Sequence, residues 1–138
     1  MVEPLYEVLA RSAFVSVTAT LIAAVIGIGL GTALALARLP GRRLMTAVVN
    51  TGMALPTVVV GLVVALLLWR SGPLGGLGLI YTVEGMIFAQ VLIATPLITG
   101  ITMAAMQLLP PALPDQLRAL GANRAQLVLR MWIEARVP

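Results

Sequence analysis

The chain has 138 residues, 60% of them hydrophobic and 10% charged, with a mean hydropathy of +1.05. A domain this small has too much surface to hide that apolar content from water, whereas a bilayer accepts it on the outside, so a water-soluble fold is excluded and lipid is the expected surroundings. The net charge of +4 comes from nine arginines and five acids, with no cysteine, histidine or lysine, so no catalytic residue, metal site or bound cofactor is expected and the phosphate-binding lysine of a P-loop is missing.

Three segments carry no charge: Ser12 to Ala37, Leu44 to Trp69 and Gly85 to Pro114. Each exceeds the roughly 20 residues that a helix needs to cross a hydrocarbon core. Three transmembrane helices are therefore expected, over about 12–37, 44–69 and 85–109. The first has no basic segment before it and is too long for a signal peptide, so it is read as part of the mature chain. Within it Gly27 and Gly31 have the spacing that lets two helix backbones approach, continued by Ala35, and helix packing is the expected role.

The connection Arg38-Leu39-Pro40-Gly41-Arg42-Arg43 is short and basic, which places it in the cytoplasm. Glu3, Glu7 and Arg11 then fall outside the cell, and the segment with Arg118, Arg124, Arg130 and Arg136 falls inside. Arginines grouped in this way follow membrane topology, and nucleic acid is not expected as a partner. The loop Ser71 to Gly78 is rich in glycine and reads either as a plain hairpin or as a surface near which an external partner docks.

Pro56, followed by Thr57, lies near the middle of the second run, and Pro96, preceded by Thr95, near the middle of the third. Each proline removes a backbone donor, so both helices are expected to kink or unwind at similar depth. Such breaks are either tolerated by packing or used to line a translocation path, and Pro56, Thr57, Thr95 and Pro96 are the candidate path residues. Asn50, Gln90 and Thr99 are further polar candidates. The spans hold no ionisable residue, which disfavours a secondary carrier or channel built around fixed charges. A non-transporting membrane scaffold stays open as another reading.

After Pro110, Pro111 and Pro114 the chain reads Asp115-Gln116-Leu117-Arg118-Ala119-Leu120-Gly121. Proline and an acid at the start and a glycine at the end predict a short helix, with Leu113, Leu117 and Leu120 on one face. This stretch resembles the EAA loop of the membrane subunits of binding-protein-dependent ABC importers: an acidic triplet, three residues, then glycine. Ala54 to Leu62, Arg70 to Gly75 and Ala89 to Pro96 are similar to the permease of tungstate-type oxyanion importers. The resemblance implies an all-α, polytopic permease in the bacterial inner membrane, with a cytoplasmic EAA-like loop over about 113–131. Asp115, Leu117, Arg118, Ala119, Leu120 and Gly121 would then form the coupling loop for a separate cytoplasmic ATPase subunit. The other implied partners are an extracytoplasmic substrate-binding protein, a second permease copy and membrane lipid. The implied cargo is tungstate or molybdate. Members of that family continue with two further membrane helices, so the single permease domain 1–138 is expected to be partial, with the chain re-entering the bilayer near Glu134 to Pro138.

Overall fold

The computed structural model describes residues 3–36 and 40–135, and among these every regular element is helical. In chain order the helices are α1 (Glu3–Leu36), α2 (Arg42–Ala54), α3 (Thr57–Leu68), α4 (Val83–Gln107), α5 (Leu113–Ala119) and α6 (Arg124–Glu134), with one 3-10 turn at Gly75–Leu77. Arg38 and Leu39 of the basic connection, and Arg136 to Pro138 of the expected re-entry at Glu134 to Pro138, lie outside the described residues.

Helices α1 and α4 are each long and apolar enough to cross a membrane. Helix α1 begins well before Ser12, and its 34 residues amount to about 51 Å, against a hydrocarbon core of about 30 Å. A helix of that excess length either tilts in the bilayer or extends past the apolar layer. Val15, Ala19, Ala23, Gly27 and Gly31, each four residues from the next, are buried, and at least the last two lie against α4. A side-chain carbon placed on Gly27 would come within 2.9 Å of Ile98, and one on Gly31 within 2.6 Å of Thr102 Cβ and of the Thr99 carbonyl oxygen. Only hydrogen at these two positions lets the backbones approach so closely.

The register of these contacts fixes the topology. Positions four apart on α1 meet positions four apart on α4 in the same order, so the two helices run parallel. Ala35 and Leu36 then reach the cluster that contains Met106. Two consecutive parallel crossings require a return segment between them, and α2 with α3 supplies it. Thr46 of α2 lies beside Met103, Met53 against Gly100 and Gly52 against Pro96, so α2 runs antiparallel to α4.

The return is not one straight helix. At Leu55 and Pro56 the chain leaves helical geometry, and α3 departs from α2 at 103°. Of the three expected crossings, α1 and α4 are unbroken helices long enough to span, and the bent pair makes a third only where α2 and α3 together count as one broken span. The unwinding expected at both prolines is confined to Pro56. Helix α4 runs through Pro96 without interruption, with the proline ring packed on Gly52 of the neighbouring helix. A membrane helix loses one hydrogen bond at such a residue, and neighbouring helices can hold it continuous.

At the far end of α3 the chain folds back tightly. Leu74 donates its amide to the Leu67 carbonyl at 2.9 Å, and Trp69 meets Tyr81 edge to face at 6.5 Å between ring centroids. Thr82 caps α4, its hydroxyl accepting from the Gly85 amide at 3.1 Å, and Glu84 in the first turn suits the positive end of that helix.

Candidate functional site

Helix α5 is only seven residues long, and both its ends are specified locally. Pro114 stands in its first turn with Asp115 beside it. At the other end Gly121 has φ +82, its amide donates to the Arg118 carbonyl at 2.9 Å, and the Ala122 amide donates to the Leu117 carbonyl at 3.0 Å. This paired arrangement satisfies the last carbonyls of the helix and needs a left-handed residue, which glycine supplies without a β-carbon clash. Two residues later Asn123 caps α6: its side chain accepts from the Gln126 amide at 2.8 Å while the Gln126 side chain accepts from the Asn123 amide at 3.0 Å. The result is a helix–glycine–helix hairpin whose turn is defined on both sides.

Met106 of α4 with Leu127 and Met131 of α6 forms a buried cluster, against which Ala35, Leu36, Leu109, Leu113, Leu117 and Trp132 pack. The hairpin is thereby seated on the ends of both parallel spans. Helix α6 is the part that sequence reasoning missed. The Asn123-x-x-Gln126 pair followed by Leu127 and Met131 was its signal, a capping box ahead of an apolar stripe.

The six expected coupling residues come together in α5 and its turn but do not share one face. Leu117 is half-buried on the cluster just described, as is Leu113, whereas Leu120, the residue that ends the helix, is 84% exposed. Asp115, Arg118 and Ala119 are also exposed. Arg118 and Asp115 form an ion pair at 3.2 Å, and an exposed pair of this kind contributes at most about 1 kcal/mol. Leu117 thus fixes the hairpin to the bundle, while Asp115, Arg118, Ala119 and Leu120 offer an outward edge. Between α5 and α6 runs an open groove of about 750 Å³ lined by Leu113, Leu117, Leu120, Gln126, Arg130 and Glu134 among others.

Of the expected path residues, Pro96 is touched by Gly52, one turn before Pro56, so the two prolines lie within about a turn of each other along the bundle. Pro56 and Thr57 are exposed, and Thr95 and Pro96 half-buried. The Thr95 hydroxyl donates to the Val91 carbonyl and the Thr99 hydroxyl to the Thr95 carbonyl, both at 2.7 Å. These two hydroxyls are therefore engaged within α4. At the break Val59 and Val60 both donate to the Pro56 carbonyl at 2.9 and 3.2 Å. Among the described residues the amides of Thr57 and Val58 find no backbone acceptor. Two free donors at the positive end of a helix can hold an anion, and exposed amides at membrane depth belong beside water or polar cargo. Asn50 and Gln90 are exposed.

Comparison with known proteins agrees with this architecture. Residues 8–133 match the family described as the binding-protein-dependent transport system inner membrane component. The chain belongs to that family, as an all-α, multi-pass protein of the cell membrane. A probable anion ABC transporter permease protein of Haloferax volcanii is 38% identical over 96% of this chain and 57% of its own length. A tungstate uptake system permease protein of Peptoclostridium acidaminophilum is 39% identical over 90% of this chain and 54% of its own. A sulfate transport system permease protein of Synechocystis is 29% identical over 76% of this chain and 41% of its own. The chain therefore spans little more than half the length of the first two relatives. No solved structure matches it.

Proposed function

We propose that this chain forms part of the permease of an ATP-driven ABC importer for an oxyanion, tungstate or molybdate, and that the outward edge of α5 is the surface a separate cytoplasmic ATPase subunit engages. The observation that carries this reading is the hairpin itself. A short helix with an exposed polar edge is clamped by a glycine turn and wedged on the ends of two parallel spans, so a push on it is delivered to both. These 138 residues hold no lysine and so no P-loop lysine, which fits hydrolysis by a separate subunit. The basic connection before α2 supports a cytoplasmic place for that end, which would leave the N-terminus of α1 and the Trp69 to Thr82 loop outside. An extracytoplasmic substrate-binding protein would meet that outer loop, and a second permease copy would complete the path.

The cargo follows from two considerations. The relatives are named for an anion, for tungstate and for sulfate, and two of these three names are oxyanions. The break at Pro56 offers backbone amides and Thr57 in spans without a fixed charge, donors that suit an anion which must be held briefly and released. Pro56, Thr57, Thr95 and Pro96 are assigned to that path.

The test is co-expression with the ATPase and binding protein of the same transporter, in wild type and in Leu120→Asp and Gly121→Val. Both variants should insert in the membrane, lose most ATPase co-purification and lose tungstate-stimulated ATP hydrolysis. Wild-type association and stimulation in both would remove α5 as the coupling element. Leu117→Asp is the contrast, because it places a charge in the chain's own cluster and should reduce stable insertion even without the ATPase.

A further inference from the structure

We infer that the arginine-bearing end of the bundle is a seat for acidic phospholipid headgroups, with α6 lying in the membrane interface. Helix α6 has two faces. Leu127 and Met131 are buried on the Met106 cluster, and on the opposite side Ala125, Leu129 and Ile133 recur at four-residue spacing, all exposed. Leu129 is 62% exposed and Ile133 45%. An apolar stripe on an outward face is unfavourable in water and suits the boundary between headgroups and acyl chains. Trp132 borders this stripe, half-buried, and tryptophan favours that depth.

The depth of the arginines follows from the packing. Thr46 lies beside Met103, so Arg42 and Arg43, one turn earlier on the antiparallel α2, are level with the last turn of α4. That is where the apolar span ends. Arg130 of α6 lies near the same level, because Met131 beside it packs with Met106, and Arg124 stands one turn before Leu127 of the same cluster. Among the described residues none of these four arginines makes an ion pair; the one pair present joins Arg118 to Asp115. Four uncompensated cations at the edge of a hydrocarbon layer complement phosphodiester anions, each cation near an acidic surface favouring the contact about fivefold. Arg42 and Arg43 also stand at the positive end of α2, where repulsion from the helix dipole is offset by an anion. A phospholipid meets both features at once, its acyl chains covering the apolar stripe and its phosphate facing the arginines, so lipid is the occupant the combined pattern fits.

The experiment uses the full chain with Trp69→Phe, leaving Trp132 as the fluorophore. It is reconstituted in phosphatidylcholine vesicles in which either brominated phosphatidylcholine or brominated phosphatidylglycerol serves as quencher. The expected result is quenching of Trp132 by both, with a clear preference for the acidic lipid. Arg124→Gln/Arg130→Gln should lower that preference about fivefold for each charge removed, while Arg124→Lys/Arg130→Lys keeps it. Raising salt on the unaltered arginines should weaken the preference as well. Equal quenching by the two lipids, a preference that survives the glutamine variant, or no quenching by either lipid would each overturn the inference. The last outcome would place the stripe against protein or water. None of these readouts involves transport or an ATPase.

Discussion

The parallel packing of α1 on α4 rests on two glycines, and Gly31→Ala tests it most directly. In the wild type a β-carbon at position 31 would lie 2.6 Å from both Thr102 Cβ and the Thr99 carbonyl oxygen, about 0.8 Å short of the 3.4 Å at which ordinary contact begins. One neighbour is backbone and the other a β-carbon, so neither can rotate away. The helices must separate instead, loosening the contacts next to the glycine. Overpacking of this kind costs about 1–3 kcal/mol, whereas alanine in place of glycine favours the helix by about 1 kcal/mol, leaving a net loss of up to about 2 kcal/mol. Gly29→Ala is the matched control, since a β-carbon there meets nothing within 4 Å, and it should be neutral or slightly stabilising. The assay is unfolding of the purified chain in mixed micelles by titration with a denaturing detergent, followed by circular dichroism. Gly31→Ala should unfold at a lower fraction of that detergent than Gly29→Ala. Equal midpoints would refute the register, and with it the argument that α2 and α3 form the return crossing.

Pro56→Ala restores the amide that the Gly52 carbonyl lacks, and α2 should join α3. Spin labels at Leu44 and Leu66 should then move from about 21 Å toward about 33 Å apart, measured by pulsed electron resonance, and an unchanged distance would mean that packing on α4 sets the 103° bend. Cysteines at Pro40 and Gly76, both exposed, should label from opposite sides of the membrane, with Gly76→Cys reached from outside by an impermeant reagent; labelling of Pro40→Cys from outside in intact cells would reverse the orientation.

Much of this protein was legible in one dimension. The uncharged runs set the helical class and marked α1 and α4 as spans, because a backbone in lipid must satisfy its own hydrogen bonds and needs about 20 residues to do so across the core. Local rules also placed α5: Pro114 and Asp115 start it and Gly121 stops it, as the left-handed φ of that glycine requires. Gly27 and Gly31 marked a packing face without naming its partner.

What three dimensions decided was which partner each face meets. Two prolines with similar surroundings in sequence behave differently, Pro56 ending a helix and Pro96 remaining inside one, since only Pro96 is buttressed across the interface by Gly52. The leucines at 113, 117 and 120 read as one stripe, yet the first two close on Met106, Leu127 and Met131 while Leu120 faces outward. Periodicity assigns a residue to a side of its own helix. Whether that side is covered depends on where the chain returns, and here the return of α6 beneath α1 and α4 is set by contacts between residues far apart in sequence.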